Sequence, residues 1–145
     1  MRISSKSEYG LRALFDLAQH YGMGPIQSRE IHERQGVDEN YLNQILILLR
    51  KAGLIESLRG PQGGHRLARA PEKITILEAL TALEGPLLPP EAAITSANGD
   101  LVDREIIREV WSELRAAVQL HLGATTLEDL RQRKRSRDGE VMYYI

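Results

Sequence analysis

The chain has 145 residues, of which 42% are hydrophobic and 27% charged, a net charge of −1 and no cysteine. That length fits one compact domain, or one domain with an oligomerisation arm, and the composition is ordinary for a globular protein. The lack of cysteine excludes disulfides and any metal site held by thiolates. Since no run of eighteen apolar residues and no apolar segment after Met1 occur, we expect a cytoplasmic protein with no membrane partner.

Charge is distributed unevenly along the chain. Residues 1–70 hold ten Lys/Arg and seven Asp/Glu, a charge of +3, whereas residues 71–145 hold nine and thirteen, a charge of −4. A mildly basic N-terminal half fits a nucleic-acid reader joined to a module that does not bind DNA. Many solvated domains are equally uneven, so this pattern carries little weight alone.

The first predicted helix covers residues 5–21. Its apolar positions recur at helical spacing, at Leu11, Leu14, Ala18 and Tyr21. Ser5 and Glu8 have the spacing of a capping box at its start, and Gly22 is expected to end it.

Residues 28–35 and 39–52 predict two further helices, joined by the tight turn Gly36-Val37-Asp38. Gly36 suits a left-handed stop for the first of them, and Asp38 suits an N-cap for the second. The second helix has an apolar face made of Leu42, Ile45, Leu46 and Leu49. Its opposite face carries Asn40, Asn43, Gln44, Ile47 and Lys51.

The polar face of residues 39–52 suits the major groove of DNA. Asn and Gln pair bidentately with adenine there, while Arg50 and Lys51 at the far end suit phosphates. A solvated polar face is the simpler interpretation of this helix in isolation. The candidate DNA-binding residues of the helix-turn-helix are Ser28, Asp38, Asn40, Tyr41, Asn43, Gln44, Arg50 and Lys51.

A glycine-rich loop then lies between two short predicted strands, which contain Leu54-Ile55 and Leu67. Its glycines allow close backbone approach to a ligand, and Arg59 at the hairpin tip suits a narrow A·T-rich minor groove. A phosphate-cradling loop is the weaker alternative, because no GxxxxGK[ST] pattern follows and no helix begins directly after the glycines. A helix-turn-helix with a hairpin wing indicates a nucleic-acid reader. The candidate wing residues are Arg59, Gly60, Pro61, Gly63 and Gly64.

Four stretches resemble the Rrf-type winged-helix transcription regulators, the family that includes IscR, NsrR and CymR. They are Met1–Leu11, Tyr41–Leu46, Leu49–Leu54 and Arg59–Gly64, and the likeness covers nearly the whole chain. It implies a mainly α fold with a small β-hairpin, in which a winged helix-turn-helix domain precedes a long dimerisation helix. It also implies phosphate contacts at Lys6 and Tyr9. Packing of Tyr9 against the wing or core is the alternative.

After the wing, Thr75–Leu83 predicts a short helix whose inward residues are Ile76, Leu77, Leu80 and Leu83. Residues 1–84 would then form the DNA-binding domain. Residues 85–99 have no periodicity and are interpreted as a linker. In cluster-binding members of the family this segment supplies cysteines, so an iron–sulfur cluster held in that way is excluded and we expect no cofactor.

Asp100 is predicted to cap a long helix that runs to about Leu122. An apolar stripe this broad, attached to the small N-terminal domain (residues 1–84, hereafter the head), needs a partner surface. A two-fold dimer that reads paired half-sites supplies one. Packing of the helix back onto its own head is the alternative. The predicted interface residues are Leu101, Ile106, Ile107, Val110, Trp111, Leu114, Ala117, Val118 and His121. Thr125 and Glu128 predict a capping box for a short following helix through Leu130, which completes a dimerisation unit over residues 100–131.

Residues 132–145 are interpreted as a basic and aromatic tail. The run Arg131, Arg133, Lys134, Arg135 and Arg137 is most often a solvated segment, with a second DNA contact or an acidic partner as the alternative. The ending Tyr143-Tyr144-Ile145 resembles the branch of the family that represses cysteine metabolism. That resemblance implies cysteine synthase (O-acetylserine sulfhydrylase) as a partner that captures this carboxyl-terminal peptide, and docking on its own dimer is the alternative.

Catalysis is a poor interpretation of this sequence. His20, His32, His65 and His121 have no metal-ligand spacing, and no nucleophile stands in a recognisable motif. We therefore predict a dimeric regulator that binds double-stranded DNA, acts as a repressor of cysteine or sulfur metabolism genes with cysteine synthase, and is not an enzyme. A regulator that senses another small molecule or a redox signal, and an interaction module without DNA binding, are the alternatives.

Overall fold

The computed structural model describes residues 3–88 and 98–143, apart from the side chains of residues 140–143. In chain order it has α1 (Ser5–Gln19), α2 (Ser28–Gln35), α3 (Glu39–Lys51), β1 (Ile55–Leu58), β2 (Gly64–Leu67), α4 (Ile76–Glu84), α5 (Leu101–Ala124) and α6 (Leu127–Tyr143). A short 3-10 turn, Pro71–Lys73, lies between β2 and α4. The predicted mainly α fold with one small hairpin is confirmed.

The helix-turn-helix has the local signals that the sequence indicated. Gly36 ends α2 in the left-handed conformation, with φ 69°, a backbone conformation that glycine adopts without steric cost. The Asp38 carboxylate accepts a hydrogen bond from the N–H of Tyr41 at 3.1 Å and caps α3. At the start of α2, the N–H of Gln27 donates to the Glu30 carboxylate at 2.9 Å.

Helix α1 begins at the predicted residue, but its capping residue and its C-terminal end differ from the prediction. Its N-cap is Ser4, whose hydroxyl accepts from the N–H of Ser7, and not Ser5. The hydroxyls of Ser4 and Ser7 both donate to the Glu84 carboxylate at the end of α4, so the cap is shared with another helix. The helix ends at Gln19, before two left-handed glycines, and Tyr21 is exposed instead of continuing the apolar face.

The core lies where α1, α3 and α4 meet over the base of the hairpin. Its largest fully buried apolar side chains are Leu14, Leu17, Ile31, Leu42, Ile45, Leu49, Leu54, Ile74 and Leu127. Helices α1 and α4 pack tightly at Gly10, where an added Cβ would lie 2.4 Å from Cδ1 of Leu83. Thr75 caps α4 in a capping box with Glu78, and both ends of this helix differ by one residue from the predicted range.

The wing is an antiparallel hairpin in which Ile55 pairs with Leu67 and Leu58 with Gly64. The segment after α1 adds an isolated bridge to it: Ile26 N–H donates to His65 O at 2.8 Å, and His65 N–H donates to Ile26 O at 2.7 Å. This bridge attaches the wing to the helical core. Gly64 has φ 147°, and an added Cβ would lie 2.6 Å from the Ile26 carbonyl oxygen.

The long helix α5 begins where the sequence indicated, since the Asp100 carboxylate accepts from the N–H groups of Val102 and Asp103 at 2.8 and 3.1 Å. It continues to Ala124, and no residue in it is buried. The alternative of packing back onto the head describes only its C-terminal end, which contacts α4. No helix in the described ranges is long and apolar enough to cross a membrane.

The prediction of a short helix through Leu130 is wrong, because α6 runs on to Tyr143 and contains the basic run. Thr126, not Thr125, forms its cap: Thr126 N–H donates to the Asp129 carboxylate at 2.8 Å, and Asp129 N–H donates to the Thr126 hydroxyl at 3.1 Å. The helix docks on the head through fully buried Leu127.

Candidate nucleic-acid interface

The outward face of α3 is the first component of the candidate interface. Leu42, Ile45, Leu46 and Leu49 are buried, which turns the other side of the helix to solvent. The exposed residues on that side are Asn40, Asn43, Gln44, Ile47, Arg50 and Lys51. Because three amides precede two cations along this face, it presents hydrogen-bonding groups suited to base edges and then positive charges suited to phosphates.

An aromatic contact positions the first turn of α3. The Tyr9 and Tyr41 rings meet edge-to-face, with centroids 5.8 Å apart and planes at 86°. The Arg12 guanidinium lies 5.7 Å from the Tyr9 centroid and also donates to the Gln35 carbonyl at the end of α2 at 3.4 Å. Tyr9 is thus packed against the helix-turn-helix, as one of its two interpretations required, and a phosphate contact from it stays a prediction.

An ion pair between buried Asp16 and partly exposed Arg34 joins α1 to α2. Asp16 accepts hydrogen bonds from Nε and Nη2 of Arg34, both at 2.8 Å, and from Nε2 of Gln35 at 3.2 Å. Burial opposes ionisation of Asp16, but the hydrogen bonds from Arg34 and Gln35 and the charges of Arg34 and His20 outweigh it, so its pKa lies below its usual value of 3.8. The two-point contact fixes the orientation of α2, and with it the start of α3.

No local pattern in the sequence predicts this ion pair. The available signal was Asp16 itself, an acid between Phe15 and Leu17 on a helix face that is otherwise apolar. A charged residue at a core position requires a partner, but no spacing rule indicates that the partner is Arg34, eighteen residues away.

The tip of the wing is a tight turn in which Gly63 N–H donates to Gly60 O at 2.9 Å. Arg59, Gly60 and Pro61 are exposed there. Gly63 is buried, and an added Cβ would lie 2.2 Å from the Leu58 carbonyl oxygen. Gly63 and Gly64 are therefore required by packing within the protein, and close approach of the wing glycines to a ligand stays a prediction.

His65 belongs to the wing's packing. It is half-buried, and its Nδ1 lies 2.8 Å from the Ser57 hydroxyl on the opposite strand. Burial, and secondly the nearby charge of Arg50, lower the pKa of His65 below its usual value. The lowered pKa favours the uncharged imidazole, which supports packing over a phosphate contact.

The remaining predicted site residues fall into three groups. Lys6 and Ser28 are half-buried in the first turns of α1 and α2, and the Asp38 carboxylate is engaged as a cap. Eight of the nine predicted interface residues of α5 are exposed, whereas Val118 is half-buried. Residues 89–97 of the linker, Tyr144, Ile145 and the Tyr143 side chain lie outside what the structure describes.

Comparison with known proteins finds extensive similarity. The sequence profile of the family described as iron-dependent transcriptional regulators, Rrf2, matches residues 3–133. The chain is 38% identical to the transcriptional regulator CymR of Bacillus subtilis over 100% of both chains. It is 34% identical to IscR of Xenorhabdus nematophila, over 90% of this chain and 79% of that one.

Solved structures agree with these sequence matches. The structure of CymR, described as the global cysteine regulator of B. subtilis, superposes with a TM-score of 0.78 at 37% identity, covering 92% of this chain and 98% of that one. The structure of T. potens IscR superposes with a TM-score of 0.74 at 38% identity, covering 92% and 88%.

The description of the matched family implies iron, and the donors of this chain do not fit a cluster held by thiolates. The sequence contains no cysteine. Within residues 3–88 and 98–143, no three His, Asp or Glu side chains are grouped so that they could hold a metal ion. Iron bound through cysteine is therefore no part of how this chain works.

Proposed function

Since the chain belongs to the Rrf2 family of transcriptional regulators, we propose that it binds operators with two half-sites as a homodimer and represses genes of cysteine or sulfur metabolism. Its relatives are transcriptional regulators, and it is a DNA-binding regulator and not an enzyme. In the proposed complex α3 enters the major groove, and Arg59 reaches the adjacent minor groove.

One observation carries the proposed mode of binding: the exposed amides of α3 and the exposed wing tip lie on elements joined by a short, hydrogen-bonded turn. The chain passes from α3 into β1 through Gly53, at φ 77°, and the N–H groups of Gly53 and Leu54 donate to the carbonyl oxygens of Arg50 and Leu49, both at 3.0 Å. A helix and a hairpin joined this tightly present their contacts at a fixed separation, as simultaneous reading of two adjacent grooves requires.

The dimer is supported by the exposed apolar stripe of α5. The helix is 24 residues long, about 36 Å, and its large apolar side chains, such as Ile107 at 54% exposure, have no cover within the described part of the chain. An unpaired apolar face of this length is unfavourable in water, and a second copy placed by a two-fold axis would cover it. The same two-fold axis would place one α3 helix on each of two successive half-sites of the operator.

The regulated genes and the enzyme partner are proposed from the relatives. The CymR structure that this chain matches is described as a global cysteine regulator. The carboxyl-terminal residues Tyr143, Tyr144 and Ile145 resemble the ending of that branch, and capture of a terminal carboxylate is an established mode of peptide recognition. We therefore include cysteine synthase as the proposed partner.

The DNA-binding mode is tested by fluorescence anisotropy with duplexes whose flanks are A·T-rich or G·C-rich, over a range of salt concentrations. We expect Arg59→Ala to weaken binding chiefly on the A·T-rich duplexes. Arg66→Ala is the matched control, since it removes the same charge from the wing at a residue paired with Glu56 at 3.0 Å. Equal losses on all flanks would make Arg59 a phosphate contact, and salt-independent affinity would contradict DNA binding.

The enzyme partner is tested with the intact chain and a version that lacks Tyr144-Ile145. Purified cysteine synthase should be retained by the intact chain alone, while both versions retain operator DNA. Retention of the enzyme by both versions would contradict capture of the carboxyl terminus. If both versions retain DNA and neither retains the enzyme, the proposed DNA binding stands and cysteine synthase is excluded as the partner.

A further inference from the structure

One apolar residue stands within the reading face of α3. Ile47 is 42% exposed, whereas the other Leu and Ile side chains of this helix are buried or half-buried. It follows Asn43 by four residues and Gln44 by three, so it lies on their side of the helix and one turn further along. Single exposed apolar residues are common on protein surfaces, but this one occupies the centre of a face otherwise made of amides and cations.

The major groove offers one apolar feature to such a side chain, the C5-methyl group of thymine. Isoleucine has no hydrogen-bonding group, so contact with any other base edge would cover polar atoms without pairing them. Its β-branched side chain also holds one preferred rotamer in a helix, which lowers the entropy lost when it is fixed at an interface. The chemistry of Ile47 therefore matches thymine and disfavours guanine, adenine and cytosine.

We propose that Ile47 is a specificity-determining residue that reads the methyl group of one thymine in each half-site. This inference rests on the proposed docking of α3 in the major groove. The spacing makes it more specific: three or four residues advance a helix by about 4.5–6 Å, and one base-pair step advances DNA by 3.4 Å. The thymine should therefore lie one or two base pairs from the base read by Asn43 or Gln44.

The test begins with selection of a preferred duplex by the full chain from a random-sequence library. Each thymine of the selected half-site is then replaced singly by deoxyuridine, which removes only the methyl group. One replacement should weaken binding of the wild-type chain about fourfold, the effect of losing one buried methyl-sized group. Ile47→Ala should bind the thymine and deoxyuridine duplexes equally well, because the residue that senses the methyl is gone.

A second comparison keeps the methyl group and changes the base. With cytosine at the identified position, 5-methylation should strengthen binding of the wild-type chain and leave Ile47→Ala unaffected. Lys51→Ala is the control from the same face, because loss of a phosphate contact weakens all duplexes alike. Ile47→Val, which retains a branched apolar side chain, should keep most of the discrimination.

Two results would overturn the inference while leaving the proposed function intact. One is a selected operator in which no thymine replacement weakens the wild-type chain. The other is an equal loss on deoxyuridine in the wild-type chain and Ile47→Ala, since two contacts that do not interact give additive effects. Failure of the selection to enrich any duplex, with no salt-dependent affinity, would instead contradict the proposed function itself and the inference with it.

Discussion

The Asp16–Arg34 pair gives the sharpest prediction about stability. Asp16 is 1% exposed and accepts two hydrogen bonds from Arg34 at 2.8 Å and one from Gln35 at 3.2 Å. Asp16→Asn preserves the shape of the side chain, but it removes the charge and points an amide N–H₂ at a guanidinium that can only donate. The substitution therefore breaks the pair without changing the packing.

The expected loss follows from the burial of the two partners. Removing one member of a fully buried ion pair costs about 3–5 kcal/mol, mainly because the other charge is left without compensation. Arg34 is 37% exposed, so water recovers part of that cost, and we expect a loss of about 2–3 kcal/mol. With a urea m-value of about 1–3 kcal/mol/M, the unfolding midpoint should fall by roughly 0.7–3 M.

The assay is urea unfolding followed by circular dichroism at one fixed protein concentration, because dimerisation would add a concentration-dependent term. The control is Asp16→Leu combined with Arg34→Leu. Replacing both partners leaves no unpaired charge, so the double variant should be more stable than Asp16→Asn. A loss below about 0.5 kcal/mol for Asp16→Asn, or a double variant as unstable as the single one, would refute the reasoning.

The same pair predicts a dependence on acid. The pKa of Asp16 lies below its usual value of 3.8 in the folded chain, so its contribution is complete above that pH. As the pH falls below 3.8 and through the folded pKa, the unfolded chain binds the proton more readily and the contribution is lost. Urea unfolding at a series of acidic pH values should show this decline in the wild-type chain and a smaller one in Asp16→Asn.

Two further predictions concern helix packing and assembly. Gly10→Ala should lower the thermal midpoint, because its Cβ would lie 2.4 Å from buried Leu83 and overpacking costs about 1–3 kcal/mol. The control Gly139→Ala changes a helical glycine with open space around it and should stabilise the chain by up to about 1 kcal/mol. Equal shifts of the midpoint in the two variants would contradict the packing argument. Ile107→Glu should convert the proposed dimer to monomer in sedimentation equilibrium. Ser112→Glu, about 140° away around the same helix, should leave the dimer intact. If both variants remain dimeric, this face of α5 is not the interface.

Local signals in the sequence determined the helix-turn-helix. The helix stop at Gly36 and the N-cap at Asp38 each involve a partner no more than four residues away along the chain. The four buried positions of α3 follow the helical period. The outward face of α3 could therefore be identified before any tertiary contact was known, because burial of one side of a helix exposes the other.

The extent of α6 was not available from local patterns. Residues 131–140 contain no apolar side chain, so no apolar period distinguishes a helix from a solvated tail there. In the fold, Arg131 pairs with Glu128 at 2.9 Å, and Lys134 donates to Gln19 of α1 at 2.6 Å. The start of the helix was predicted at Thr125, one residue too early. It is set by backbone hydrogen bonds across the fold, from Leu127 N–H to Ile74 O at 3.0 Å and from Ile76 N–H to Thr125 O at 2.9 Å.

The sequence by itself determined the elements that depend on caps, turns and apolar periods within one or two helical turns. These include α3, with the polar face proposed to read DNA. Only the tertiary structure decided how those elements are held: the attachment of the wing to Ile26, the tie between Asp16 and Arg34, and the packing of Tyr9 on Tyr41. These contacts join residues 18 to 39 positions apart, and their partners are selected by proximity in the folded chain. Periodicity and capping rules describe neighbours along the chain, so they contain no information about which distant groups meet.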